Sequence, residues 1–198
     1  LTGLGAVRNT AKVTRGSSVV VVGCGGVGLN VVQGASLAGA ATIVAVDTAR
    51  DKLGVARSFG ATHALPAGSA GLQEQIIELT AGRGADYVFV SVGSKLALDR
   101  SQRYLAPGGT LVVVGMPASG VTAEYDPGDL AARGQRILGS KMGSSRIHTD
   151  IPLLLDLYRR GDLRLDELIS GRFPLQDINA AVAEVRDGNT LRNVITFE

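Results

Sequence analysis

The sequence predicts an α/β fold, in which a doubly wound parallel sheet is followed by a smaller C-terminal α+β segment. Apolar, β-branched runs of strand length alternate with helical stretches of about ten residues, which is the order of a parallel sheet with right-handed crossovers. The first of these runs, Val19–Val22, consists of valine alone, as expected of a strand buried on both faces. After Lys141 the alternation stops. We therefore predict two domains, residues 1–141 and residues 142–198.

Glycine, proline and small polar residues separate the predicted elements, because these residues end helices and strands. Leu53, Ala56 and Phe59, for example, form the apolar face of a helix that Gly60 ends. Strands are predicted at residues 19–22, 42–46, 63–65, 85–90, 110–114, 136–140, 168–173 and 193–197. Helices are predicted at residues 2–13, 29–38, 49–59, 72–80, 95–105, 127–132, 150–160 and 177–186. Residues 143–145, Gly-Ser-Ser, are interpreted as a hinge.

The composition argues against several classes of protein. The formal net charge is only +2 and no block of Lys or Arg occurs, so nothing indicates binding to nucleic acid. The longest apolar runs have the length of strands, far short of a membrane span. Cys24 is the only cysteine, which rules out an intrachain disulfide and favours a cytoplasmic location. The chain starts at Leu1 rather than Met, and we interpret it as a fragment.

A glycine-rich turn follows the first strand directly. Its sequence, Gly23-Cys24-Gly25-Gly26-Val27-Gly28, fits the pattern G-x-G-x-x-G and opens a helix. In such a motif the first glycine allows the sharp turn, the second lets the main chain approach a pyrophosphate, and the third lets the helix pack closely. The free N–H groups at the helix start then form an anion site. For a glycine triplet alone, the alternative is an ordinary tight turn between strand and helix.

Asp47 ends the next strand, about 20 positions after the last glycine of the turn, as a dinucleotide-binding motif requires. A carboxylate there accepts hydrogen bonds from a ribose diol and repels a 2′-phosphate, so NAD is favoured over NADP. Together these features predict a Rossmann fold that binds NAD. Cys24 lies near the helix N-terminus, which lowers a thiol pKa, but it fills a variable position of the motif, which favours a packing role.

Five stretches resemble, in the same order, the zinc-type medium-chain alcohol dehydrogenase family. They are GCGGVGLN (Gly23–Asn30), AVDTARDKLGVARSFGATH (Ala45–His63), GGTLVVVGMP (Gly108–Pro117), ILGSKMGS (Ile137–Ser144) and the terminal LRNVITFE. The resemblance implies an NAD-dependent oxidoreductase of small alcohols or aldehydes, assembled as a homodimer or tetramer with the strand at 136–140 at the dimer edge. It also implies that the catalytic segment with the zinc ligands lies outside this chain. We therefore expect zinc only in the full-length protein and no turnover by this chain alone.

The resemblance also implies cofactor contacts for individual residues. The pyrophosphate would be contacted by Gly23, Gly25, Gly26, Val27, Gly28 and Arg192. Asp47 and Lys52 would contact the adenosine ribose. At the ends of the fourth and fifth strands, where open α/β sheets bind ligands, lie Val92, Gly93, Val114 and Met116. The alternatives are a solvated lysine for Lys52, core packing for the strand ends, and a surface ion pair for Arg192.

Three functions fit these features. The first is the NAD-binding part of a zinc-dependent alcohol or aldehyde dehydrogenase, which transfers hydride between substrate and nicotinamide. The second is a zinc-independent NAD(P)H reductase of quinones or enoyl thioesters; Asp47 argues against it, because a 2′-phosphate needs neutral or basic neighbours. The third is a nucleotide-binding module without catalysis. A methyl-donor-binding Rossmann domain is disfavoured by the three-glycine spacing and the later strands.

Overall fold

A computed structural model of the chain describes residues 1–188 and 190–197, which divide into two compact units, Leu1–Asp150 and Ile151–Glu198. The strands of the first unit are β1 (Ser18–Val22), β2 (Thr42–Asp47), β3 (His63–Pro66), β4 (Ala85–Val90), β5 (Leu105–Val113) and β6 (Arg136–Gly139). They form one parallel sheet in the order β3-β2-β1-β4-β5-β6. This order confirms the predicted doubly wound fold. The order reverses between β1 and β4, which is where such sheets bind ligands.

Helices connect these strands and extend into the second unit. In chain order they are α1 (Thr2–Gly5, continued by a π-helix, Ala6–Ala11), α2 (Gly26–Leu37), α3 (Arg50–Ser58), α4 (Leu72–Leu79), α5 (Lys95–Ser101), α6 (Pro127–Ala132), α7 (Ile147–Arg159) and α8 (Ile178–Arg186). Short 3₁₀ turns lie at Gln102–Tyr104, Met142–Ser144, Asp166–Leu168 and Leu175–Asp177. Within the described ranges, no helix has both the length and the apolar character needed to cross a lipid bilayer.

The core of the first unit is built from the central strands. Alternate residues of β1, β2 and β4 share one face of the sheet, where they form an apolar cluster with α4 and α5. Buried members of this cluster include Val20, Val44, Val88, Ile76 and Leu98. The intervening residues of β1, Val19 and Val21, are also fully buried. The first strand is therefore buried on both faces, as its unbroken run of valines predicts.

The structure differs from the sequence prediction between Lys95 and Thr110. The predicted helix at 95–105 ends at Ser101 and tightens into a 3₁₀ turn. Leu105 already belongs to β5, where it pairs with Ala85 before the register of the two strands shifts. The Pro-Gly-Gly sequence at 107–109 reads as a turn but lies within this irregular strand. A positive φ of 75° at Gly108 lets the strand absorb the irregularity.

The segment interpreted as a hinge is packed against the N-terminal helix instead. Gly143 has a φ of +67°, and a Cβ there would lie 2.7 Å from the Gly5 Cα. Asn9 Nδ2 also donates a hydrogen bond of 3.2 Å to the Gly143 carbonyl oxygen. The backbones of two distant glycines therefore touch, and the segment is not a free hinge. The following helix begins at Ile147, three residues earlier than predicted, so His148 lies in its first turn.

The second unit has its own small core. Two parallel strands, β7 (Ile169–Pro174) and β8 (Arg192–Thr196), form a separate two-stranded sheet. Leu163, Leu168 and Ala181 are its buried apolar residues. This mixture of helices and a short sheet agrees with the α+β segment predicted from the sequence.

Candidate functional site

The glycine loop, residues 23–28, joins β1 to α2. Gly23 has a φ of +95°, a conformation that glycine adopts readily, and its N–H donates to the Val46 carbonyl oxygen over 2.8 Å. A Cβ at Gly28 would collide with the carbonyl oxygen of Gly23. The first and last glycines of the motif are therefore required by the local geometry of the turn.

The start of α2 leaves backbone N–H groups available beside this loop. Gly25 is the N-cap, and no side chain of the described residues caps the helix. The first N–H groups of a helix have no acceptor within the helix, and the dipole of these 12 residues favours an anion at this end. A Cβ at Gly25 would meet no atom within 4 Å. Gly26 and Val27, in the first turn, thus border open space in which an anion could bind.

Asp47 lies directly against the glycine loop. One carboxylate oxygen accepts a hydrogen bond of 2.6 Å from the Cys24 N–H, and the other accepts one of 2.8 Å from the Ala49 N–H. These bonds hold the carboxylate at the carboxyl end of β2. Each carboxylate oxygen retains further acceptor capacity. The structure thus brings together the acid and the loop that the sequence motif only relates by spacing.

Ser91, at the carboxyl end of β4, was not singled out by the sequence analysis. Its hydroxyl donates to the Gly23 carbonyl oxygen over 2.8 Å and lies 3.2 Å from the Val22 carbonyl oxygen. The hydroxyl therefore ties the end of β4 to the turn after β1. In the sequence, Ser91 can be recognised only as a small polar residue directly after an apolar strand. That signal does not reveal its partner, Gly23, which lies 68 positions away.

The loops that follow β4 and β5 lie close together at the carboxyl edge of the sheet. A Cβ at Gly93 would lie 2.5 Å from the Met116 carbonyl oxygen, and one at Gly115 would lie 2.5 Å from the Val92 nitrogen. The two loops can approach this closely only because both positions are glycine. Val114 is 8% exposed and packs in the core, whereas Met116 is 78% exposed. Of the predicted residues at these strand ends, Val92, Gly93 and Met116 lie together near the surface.

Burial decides the ionisation of Cys24. The side chain is fully buried, and this desolvation, together with the negative charge of Asp47, raises the pKa of the thiol to about 12. The charge of Lys52, on α3, acts in the opposite direction and is the weaker influence. The lowered pKa that the helix N-terminus favours is therefore not found.

Lys52 and Arg192 stand differently with respect to this site. Lys52 is half-buried, and its positive charge lowers the pKa of the Cys24 thiol, which belongs to the glycine loop. Arg192 is exposed on β8 of the second unit and forms no ion pair with any described residue. Its predicted contact with a pyrophosphate stays a prediction.

Comparison with known proteins identifies the family. A family model described as zinc-binding dehydrogenase matches residues 26–160. The chain belongs to the zinc-binding dehydrogenase family. The resemblance seen in the sequence is thereby confirmed.

Two relatives and one solved structure illustrate how far the similarity to zinc-binding dehydrogenases extends. The chain is 36% identical over 203 residues to S-(hydroxymethyl)glutathione dehydrogenase of Paracoccus denitrificans, covering 99% of this chain and 54% of the relative. It is 37% identical over 208 residues to alcohol dehydrogenase class-3 of Zea mays, covering 100% of this chain and 52% of the relative. The crystal structure of benzyl alcohol dehydrogenase from Acinetobacter calcoaceticus superimposes with a TM-score of 0.95 at 36% identity, covering 100% of this chain and 54% of that one. The chain spans about half the length of the curated relatives it matches.

Zinc-binding dehydrogenases are named for a metal, but the described residues of this chain offer no ligand set for it. No group of three or more His, Cys, Asp or Glu side chains lies close enough to bind a metal ion within residues 1–188 and 190–197. His63 instead shares a hydrogen bond of 2.9 Å with the Thr62 hydroxyl. Within the described residues, the donor set therefore does not fit a zinc ion.

Proposed function

We propose that this chain binds NAD and is the cofactor-binding part of a dehydrogenase that oxidises small alcohols. The observation that carries the proposal is the 2.6 Å hydrogen bond between the Cys24 N–H and Asp47, which sets an acid beside the open start of α2. The start of α2 is suited to bind a diphosphate, and the Asp47 carboxylate is suited to bind a ribose. Family membership and the names of the relatives support the assignment to alcohol oxidation.

The residues present fit NAD. Backbone N–H groups at Gly26 and Val27 would donate to the diphosphate, where the space beside Gly25 is open. Asp47 would accept hydrogen bonds from the adenosine ribose, and Lys52 lies on the adjacent helix. Val92, Gly93 and Met116 would line the path toward the nicotinamide, whose chemistry when bound is to accept a hydride from the alcohol carbon.

A negative charge at Asp47 favours NAD over NADP. The carboxylate is fixed by two backbone N–H groups, so it cannot turn away to accommodate the phosphate of NADP without losing both bonds. The same charge disfavours the NADPH-dependent reductase considered as an alternative. The crystal structure of a zinc-binding dehydrogenase from Sinorhizobium meliloti, 26% identical to this chain, contains NADP, and both cofactors are therefore compared in the experiment that follows.

The remaining features of the whole protein are also proposals. We propose that the zinc ligands lie on the part of the whole protein that this chain does not include, because its relatives are about twice as long. Arg192 is proposed to close on the diphosphate by bidentate contacts. A homodimer or tetramer in the cytoplasm remains the expectation from the sequence.

The decisive experiment compares NAD and NADP binding to the chain before and after Asp47→Ala. We expect calorimetry to show NAD binding weakened by on the order of 1–3 kcal/mol, the scale for a lost hydrogen bond to a charged group. NADP binding should weaken less or improve, because the repulsion of the 2′-phosphate is removed.

Asp51→Ala is the matched control, since Asp51 is an exposed carboxylate on α3 that takes no part in the loop. Circular dichroism would verify that both variants fold. Unchanged NAD affinity in Asp47→Ala would refute the assigned role.

A further inference from the structure

We propose that a cavity of about 400 Å³, away from the glycine loop, binds the phosphate group of a small molecule. It lies between the N-terminal helical segment and residues 144–150. Three basic side chains line it, Arg8, Lys12 and Arg146. None of its lining residues belongs to the proposed NAD site.

The two walls of the cavity are fixed to each other by hydrogen bonds. Asn9 Nδ2 donates to a carboxylate oxygen of Asp150 over 3.0 Å. The Thr10 hydroxyl lies 2.8 Å from the hydroxyls of both Ser140 and Ser144. Because these bonds join residues at least 130 positions apart, the cavity is a feature of the folded unit and not of one loop.

None of the three basic groups forms an ion pair within the described part of the chain. Arg8, Lys12 and Arg146 form no ion pair or side-chain hydrogen bond with any described residue. Asp150 is the single acidic residue of the lining, and the carboxylate oxygen that Asn9 contacts also accepts the Arg146 backbone N–H over 2.9 Å. Three cations and one anion leave a formal charge of +2 around one concave space, and a positively charged cleft attracts anions.

The charge and shape indicate the class of ligand. A phosphate monoester carries about −1.5 to −2 at neutral pH, which matches this lining, and guanidinium groups such as those of Arg8 and Arg146 bind phosphate oxygens bidentately. A volume of about 400 Å³ is within the range of small-molecule sites. The chain has no run of basic residues that would track a nucleic acid. A small phosphorylated molecule or free phosphate is therefore the expected occupant.

The test is calorimetric titration of the chain with inorganic phosphate, glycerol 3-phosphate and acetate at one ionic strength. We expect both phosphates to bind, acetate to bind at least about tenfold more weakly, and Arg8→Gln and Arg146→Gln each to weaken phosphate binding about ten- to a hundredfold. Whichever phosphate binds more tightly identifies the source as the free ion or an ester. Arg103→Gln is the control, because it removes an exposed arginine that does not line the cavity.

The variants also separate this cavity from the proposed NAD site. Phosphate held at the start of α2 would keep its affinity in Arg8→Gln and Arg146→Gln, and that result would overturn the proposal. An equal loss in Arg103→Gln, or acetate binding as tight as phosphate, would overturn it as well. The Asp47→Ala variant should leave phosphate binding at the cavity unchanged, so failure here and failure of the NAD assignment are distinguishable.

Discussion

Cys24 shows how one residue can carry opposing signals that only its surroundings resolve. Its place at the start of α2 favours the thiolate, as does the charge of Lys52. Burial and the neighbouring carboxylate of Asp47 favour the neutral thiol, and desolvation is the largest of these effects. Because charging a fully buried group forfeits its hydration, the thiol stays protonated and its role is to fill space under the loop.

The raised pKa predicts that the thiol is protected in the folded chain. With a pKa of about 12 in place of 9.0, the thiolate population at about pH 8 falls by about a thousandfold. Alkylation by iodoacetamide should therefore be slower by at least that factor in the native chain than in urea. Equal rates in the two conditions would contradict the assignment.

The raised pKa of Cys24 also makes the stability of the folded state depend on pH. An acidic group whose pKa is higher in the folded state stabilises the fold below its ordinary value of 9.0. That contribution is lost as the pH rises from about 9 toward 12. Cys24→Ala would serve as the control, since its stability should lack this dependence on alkaline pH.

Among the elements, β6 is the strand that we expect at the interface of a dimer. It is an edge of the sheet, and Arg136, Ile137 and Gly139 are exposed. The Ser140 N–H donates to Val113 of β5. Since N–H directions alternate along a strand, the N–H groups of Ile137 and Gly139 point away from the sheet. This edge can therefore accept another strand, as the expected dimer requires.

We predict that the chain forms a dimer through this edge and that Ile137→Pro disrupts it. Proline removes the outward N–H of Ile137 without removing a bond to β5. Light scattering should show a shift from dimer to monomer for Ile137→Pro, with Ile137→Val, which keeps the N–H, remaining dimeric. A strictly monomeric parent chain would contradict the prediction.

For the molecule as a whole, the residues that each unit contains and the length of the relatives decide which functions we expect of this chain. The first unit contains the glycine loop, Asp47 and the strand ends of the proposed NAD site. The described residues hold no group of metal-ligating side chains, and the relatives are about twice as long. Binding and turnover should therefore be separable in this chain.

We predict that the purified chain binds NAD but forms no NADH when benzyl alcohol and zinc are added. The physical reason is that the described residues offer no ligand set to polarise the alcohol oxygen. Absorbance of NADH would be followed over time, with NAD binding by the same preparation as the control. Alcohol-dependent NADH formation would show that the prediction is wrong.

Local signals were enough to predict most elements of the first unit. The strand at Ala85–Val90 and the helix at Pro127–Ala132 were predicted to the residue, because each is bounded by residues that end such elements. The helix predicted at 95–105 was too long, since apolar Leu105 fits a helix and a strand equally well. Its pairing with Ala85 is a long-range contact that no local pattern contains.

The sequence by itself determined the order of elements, the buried first strand and the glycine loop with its acid, because periodicity and spacing are local properties of the chain. Only the tertiary structure decided that Asp47 touches Cys24, that Ser91 holds Gly23 and that Gly143 packs on Gly5. It also decided that three cations, which form no ion pair with a described residue, line one cavity. Each of these contacts joins residues far apart in sequence. Their geometry depends on how the sheet and its helices pack, and so could not be derived from neighbouring residues alone.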